Sequence, residues 1–178
     1  MTTLIATGPT HVTVPSPVGP LTIVAQGGKI AGLYMDAQRH APEAASFGLP
    51  GDPADEPFAA AAAQLAAYFD GDLTEFDLPL APVGTVYQQR VWRALCAIPY
   101  GATRSYLDIS HTAGGSPRSV GQANGNNPIP IVIPCHRVLA TTHIGGYSGG
   151  DGLPTKRWLL ALEARAQPLL LPTPSAAA

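Results

Sequence analysis

Cys135 and His136 stand side by side in the hexad Ile133-Pro134-Cys135-His136-Arg137-Val138, behind the β-branched run Ile131-Val132-Ile133. A thiol is a strong nucleophile only as thiolate, and a neighbouring imidazole and nearby cations favour that form. The run before the pair has strand composition, and Pro134 stiffens the approach. A Cys-His pair alone is as compatible with a buried structural cysteine, because free cysteine is among the most buried residue types. What surrounds the pair has to decide.

The formal charge of −2 is unevenly divided. Up to residue 83, Lys29 and Arg39 face nine acidic residues, a net of −7. From residue 84 onward, eight basic residues, seven of them arginine, face Asp108, Asp151 and Glu163, a net of +5. Arginine suits phosphate recognition, so a basic C-terminal half implies an anionic partner. A plain difference in surface charge between two lobes is the alternative. Two cysteines, far apart in the 178 residues, suggest neither a disulfide framework nor a zinc site, and they fit a reducing cytoplasm. Thr2 to Val14 lacks the basic start and apolar core of a secretory signal. No apolar run approaches the roughly 18 residues that span a bilayer, so no membrane is expected.

The elements that must position the pair follow from turn and capping chemistry. His11–Val14, Leu21–Ala25 and Ile30–Tyr34 read as strands separated by Ser16-Pro17-Val18-Gly19-Pro20 and Gly27-Gly28, an antiparallel meander. Residues 36–56 read as loop. Phe58–Phe69 is spaced as a helix with Phe58, Leu65 and Phe69 on one face, ended by Gly71. The irregular acidic stretch 71–84 marks the domain boundary, giving an N-terminal domain over 1–80 and a C-terminal domain over 81–178. Thr85 and Gln88 form a capping box, and Tyr87, Val91, Leu95 and Ile98 share the inner face of the helix that follows. Cys96, on the same helix, reads as core. Ser105 caps a helix to about Ala113, and Ser116-Pro117 opens another to about Asn124. Two short helices joined by Gly114-Gly115 suggest a helix-turn-helix. Pro128, Pro130 and Pro134 lack amide donors, so the run between them is a short extended segment, not a central strand. Thr155–Ala166 reads as a helix with Trp158, Leu159 and Leu162 inward, and the tail from Pro168 as frayed. The fold class is α+β: a small antiparallel sheet with a helix, then a mostly helical domain.

From Thr85 to Glu163 the chain resembles the O6-alkylguanine-DNA alkyltransferases of bacterial type. The motifs are Gln89-Arg90-Val91-Trp92, Ile98-Pro99-Tyr100-Gly101, Ser105-Tyr106, Arg118-Ser119-Val120-Gly121, Asn127-Pro128, the Pro134-Cys135-His136-Arg137 core, Gly146-Tyr147-Ser148-Gly149-Gly150 and Trp158-Leu159-Leu160, in family order. The N-terminal part is similar more loosely, through Ser16 to Leu21 and Tyr68-Phe69. The resemblance implies one irreversible transfer of the alkyl group from guanine O6 in DNA to Cys135, without cofactor or metal; repair of O4-alkylthymine stays open. It implies that His136 takes the thiol proton through a bound water and that Glu163 orients His136. It implies that Asn127 is the buried asparagine that ties the turns near the nucleophile, although an ordinary turn residue before Pro128 reads nearly as well. Double-stranded DNA would be bound through its minor groove by a helix carrying Arg118, Ser119, Gly121, Gln122 and Ala123, with Arg118 filling the gap left by a flipped base. Tyr106, the Val138 carbonyl, Tyr147, Ser148 and Gly149 would line the alkylguanine pocket. A monomer is expected.

The chain departs from the family pattern in a shorter stretch from Tyr106 to Arg118, and in Thr141-Thr142-His143, which stands where a Gly-containing turn is usual. Two other readings remain open on the residues. One is a non-catalytic relative that only binds damaged bases, in which the cysteine is replaced; here Cys135 is present. The other is an unrelated thiol hydrolase, for which no oxyanion-hole signature is visible. Read without the family, Glu163 is a solvated helix residue.

Overall fold

The structure, a computed structural model, describes residues 8–165. Strands β1 (Thr10–Val14), β2 (Leu21–Gln26) and β3 (Lys29–Met35) form an antiparallel meander in the order β3-β2-β1. Gly27 and Gly28 join β2 to β3 with φ of 57° and 74°, the positive values that a two-residue hairpin demands. Alternate residues Leu21, Ile23 and Ala25 are buried, as are Ile30, Leu33 and Met35 across an irregularity between Val24 and Ala25. The expected 36–56 loop also contains a 3-10 turn, Ala44–Phe47, and a two-residue strand β4 (Leu49–Pro50). Because β4 runs parallel to β1, the four-stranded sheet is mixed. Helix α1 (Phe58–Asp70) buries Phe58, Ala61, Leu65 and Tyr68. Tyr68, not the half-buried Phe69, takes the innermost position at its end. Gly71, at φ 85°, closes it in the left-handed conformation.

The acidic connection is not loose. Ile30 N donates to Pro79 O (2.7 Å) and Ala81 N to Ile30 O (2.8 Å), while Leu33 N donates to Pro128 O (2.9 Å). These contacts cover the outer edge of β3, which would otherwise present unpaired amides. They also fasten the sheet to the segment that leads to Cys135.

Three capped helices follow, and each capping box contributes about 1 kcal/mol of local stability. Helix α2 (Val86–Cys96) starts at Thr85, with Gln88 reaching back. After the short strand β5 (Arg104–Ser105), helix α3 (Tyr106–Ala113) starts at Ser105 with Asp108, and helix α4 (Pro117–Gly125) at Ser116 with Ser119. The three pack together through Val91, Trp92, Leu95, Ile109, Ala113, Val120 and Ala123. Gly114 and Gly115, at φ 82° and 83°, turn α3 into α4 and complete the helix-turn-helix. Cys96 is exposed, on the solvent side of α2, and corrects the expectation of a core position.

The run before the hexad is not extended, because its prolines deny it ladder partners. Ile131 sits at φ 73°, fully buried, in a region where a β-branched residue is a genuine outlier held by its surroundings. Ile133 N donates to Ile129 O (2.9 Å) and Cys135 N to Ile133 O (2.8 Å), so Pro134 (φ −81°, ψ 65°) centres an inverse γ-turn. A 3-10 turn then carries Cys135–Arg137, and strand β6 (Val138–Leu139) pairs in parallel with β5. Helix α5 (Leu153–Arg165) turns Lys156, Leu159 and Glu163 inward. Trp158, expected inside, is 38% exposed and leans on Phe69. Ala166 and the tail from Pro168 lie outside the described residues. All nine N-terminal acids are exposed, as are Arg90, Arg93, Arg104, Arg118, Arg157 and Arg165; Arg137 and Lys156 are buried.

Candidate active site

Cys135 is 2% exposed and His136 fully buried. Burial pushes the Cys135 thiol up from its ordinary value. The Asn127 amide, the Lys156 ammonium and the Tyr147 hydroxyl pull it back, although the hydroxyl makes no hydrogen bond of good geometry among the described residues. The resting group is therefore a thiol that has to be deprotonated to react. Its base is built from three elements. His136 Nε2 lies 2.6 Å from Glu163 Oε1. Arg137 grips the same carboxylate with Nε to Oε2 (2.9 Å) and Nη2 to Oε1 (3.0 Å), and its Nη1 donates to Ile98 O (2.6 Å). Gly101 N donates to Oε2 (3.1 Å) and the Tyr68 hydroxyl to Oε1 (2.7 Å).

Burial alone would raise the Glu163 pKa, but the hydrogen bonds and charges of His136 and Arg137 hold it down at about 2. Burial lowers the pKa of His136, and Glu163 only partly offsets it. The imidazole is thus neutral beside an ionised carboxylate, which can only accept. Nε2 must carry the proton, and Nδ1, buried with no hydrogen-bond partner among the described residues, is the basic nitrogen.

These shifts give acid stability a definite shape. His136 titrates near 6.5 and Glu163 near 4.3 in an unfolded chain, both above their folded values. The unfolded state then binds more protons, so stability is full above about 6.5 and is lost as pH falls, first through His136 and then through Glu163. The thermal midpoint should decline in those two windows. Glu163→Gln should lower the midpoint at neutral pH and remove the decline between about 4.3 and 2. An unchanged acid limb in that variant would show that the carboxylate is not the paired group.

Asn127 closes the turn under the nucleophile. Its Nδ2 donates to Ile133 O (2.8 Å) and its Oδ1 accepts from Ile129 N (3.0 Å). Asn124 Nδ2 reaches Cys135 O at 3.3 Å. Lys156, fully buried and pulled down to about 8 chiefly by that burial, donates to Val138 O (2.6 Å) and Gly146 O (3.0 Å). It ties β6 to the 145–150 loop, and the Val138 carbonyl, expected as a pocket group, is its acceptor. A cavity of about 170 Å³ lies between Tyr106, Gly121, Asn124, Tyr147 and Ser148, with Arg39 and His40 at its rim. Gly149 is buried beside Tyr147, and Ser148 Oγ donates to Gly125 O (3.2 Å). Neither that cavity nor a larger one of about 360 Å³, between Tyr34, Phe47 and Pro128, is lined by the thiol or its base; the smaller is the one bordered by the expected pocket residues.

The helix expected to meet DNA divides by exposure. Arg118 and Gln122 are exposed, and the Arg118 side chain has no ion pair or hydrogen bond among the described residues. Gly121 is half-buried against Tyr106. Ser119 spends its hydroxyl on the helix cap and on Tyr87 (2.8 Å). Ala123 is 2% exposed, and its carbonyl accepts from Trp92 Nε1 (2.9 Å), so it packs α4 and presents no surface. Glu163 is 1% exposed, not solvated as its helix position suggests. Arg137, Lys156, Tyr68 and Asn124 were not among the expected site residues. Arg137 lay in view inside the hexad; the others carry no local signal.

The profile described as 6-O-methylguanine DNA methyltransferase, ribonuclease-like domain, matches residues 11–82, and that described as 6-O-methylguanine DNA methyltransferase, DNA binding domain, matches residues 86–165. A sheet domain, then a helix-turn-helix and, beyond it, a buried thiol and its base are what those two profiles span, and the chain belongs to the 6-O-methylguanine DNA methyltransferase family. Among relatives, the methylated-DNA–protein-cysteine methyltransferase of Mycobacterium tuberculosis is 46% identical over 159 residues, 88% of this chain and 93% of that protein. That of Mycolicibacterium paratuberculosis is 48% identical over 164 residues, 89% of this chain and 94% of that protein. The crystal structure of Mycobacterium tuberculosis OGT in complex with DNA superposes with a TM-score of 0.81 at 45% identity, covering 89% of this chain and 95% of that one.

Proposed function

We propose that Cys135 is the acceptor in a single displacement that moves the alkyl group from O6 of guanine in DNA onto the protein. The family's function is repair of alkylated DNA by transfer to a protein cysteine, and this chain is a transferase of that kind that acts on DNA. Formation of the Sγ–alkyl bond breaks the alkyl–O6 bond; the electron pair leaves on the guanine and the thiol proton goes to His136. The observation that carries this assignment is the His136–Glu163 bond at 2.6 Å, which leaves Nδ1 as the basic nitrogen of the residue that follows a buried cysteine, with a bound water to carry the proton between them. The thioether is not hydrolysed, so each chain acts once.

The target base is stacked in the duplex and has to be extruded, at a cost of a few kcal/mol. Exposed Arg118, at the start of α4, is the group suited to fill the gap, and Gln122 and the backbone around Ser119 and Gly121 suit a helix lying in the minor groove. Tyr106, Tyr147, Ser148 and Gly149 enclose the flipped base. The N-terminal domain, residues 1–80, braces the C-terminal domain, residues 81–178, which holds DNA and the chemistry; the chain works as a monomer in the cytoplasm. No helix among the described residues is long and apolar enough to cross a membrane.

The test is incubation with a duplex carrying O6-methylguanine, followed by intact-mass measurement and peptide mapping. One methyl group should appear per chain, on the peptide holding Cys135. Label on Cys96, or repeated turnover, would overturn the assignment.

A further inference from the structure

We propose that Tyr68 of α1 is a positioning residue for alkyl transfer, fixing through its phenol the carboxylate that orients His136. The inference rests on the assignment of Cys135, His136 and Glu163 above. Among the described residues, Glu163 receives hydrogen bonds from His136, Arg137, Gly101 and Tyr68, and Tyr68 is the one donor from the N-terminal half. Its hydroxyl shares Oε1 with His136 Nε2. The ring is fully buried and held by Phe69, Phe76 and Tyr100, with centroids at 5.4, 5.3 and 5.9 Å. A phenol so confined has one place to send its proton. Burial first, and then the neighbouring carboxylate, raise its pKa far above the ordinary tyrosine value, so it stays a donor at every working pH.

The physical consequence runs through basicity. A carboxylate that accepts from a phenol has less electron density to offer the imidazole N–H. Removing that donor leaves Glu163 more basic, which stabilises the imidazolium and raises the pKa of His136. The charged and titratable groups around the pair are otherwise Arg137, Lys156, Tyr100 and Cys135, and a Tyr68→Phe change leaves all of them in place.

Transfer rates of Tyr68→Phe should be measured against pH with duplex O6-methylguanine and with free O6-benzylguanine, at a temperature well below its unfolding midpoint. We expect the limb on which activity rises with pH to move upward by about one unit, so that on that limb, below neutral pH, both rates at a given pH fall by roughly tenfold. A lower midpoint with unchanged rates and an unmoved limb would mean that Tyr68 only packs, and would overturn the proposal. Glu163→Gln, run in parallel, separates the two levels. If it too leaves the rates unchanged, the assigned base is wrong; if it slows them while Tyr68→Phe does not, only the role of Tyr68 fails. Should Tyr68→Phe not fold, the intact chain still answers by NMR. The Tyr68 hydroxyl proton, expected as a protected low-field resonance, should shift as His136 titrates, and a resonance that stays fixed would overturn the proposal.

Discussion

Cys135→Ser is expected to abolish alkyl transfer while leaving DNA binding intact. A serine hydroxyl holds its proton many orders of magnitude more tightly than a thiol, and removing an enzyme's nucleophile costs on the order of a millionfold in rate. Binding should survive because Cys135 is 2% exposed and offers DNA almost no surface. Its carbonyl bond from Asn124, at 3.3 Å, belongs to the backbone and is retained. The measurements are retention of the methyl group in O6-methylguanine duplex, read by chromatography of hydrolysed DNA, and affinity for the same duplex by fluorescence anisotropy. Transfer that persists in the variant would place the acceptor elsewhere. Binding lost along with transfer would mean that the thiol holds the recognition surface together.

The second large effect belongs to Arg118. If it fills the vacancy left by the extruded nucleotide, Arg118→Ala should slow transfer from duplex DNA by on the order of a hundredfold, a few kcal/mol of lost compensation for unstacking. Free O6-benzylguanine needs no extrusion, so its rate should barely change. His136→Ala should slow both substrates, because it acts on the thiol. Arg118 has the exposure for this role and no competing partner among the described residues. Equal losses on both substrates would make Arg118 structural; no loss on either would make it an ordinary solvated arginine, withdrawn by the shorter stretch that precedes it.

What the sequence disclosed is what is local. Thr85 with Gln88, three residues on, and Ser116 with the adjacent Pro117 announce their helices because a cap is chemistry between near neighbours. Cys135 and His136 are legible because they are neighbours. Glu163 is not, because the four groups that hydrogen-bond and bury its carboxylate come from α1, from the turn at Gly101 and from the hexad. Lys156 and Tyr68 escaped for the same reason: a buried lysine or tyrosine looks like any other until its acceptors arrive. Ile131 misled, since composition argues strand while three prolines argue against one, and the backbone resolved the conflict with a left-handed isoleucine. Cys96 and Trp158 were drawn inward by hydrophobicity alone, yet both lie outside.

The separation of exposed acids from exposed arginines reaches beyond any contact it makes. Such a chain is a dipole, and near a polyanion a dipole turns before it arrives. The torque is felt only within about a Debye length, roughly 8 Å at physiological salt, so it sorts approaches in their last moments. Encounters that would begin with the acidic face are rotated or repelled, and a larger share of collisions starts with the helices forward. For a molecule consumed by one success, the gain is in search time: fewer visits are spent facing the wrong way along a genome of mostly undamaged bases.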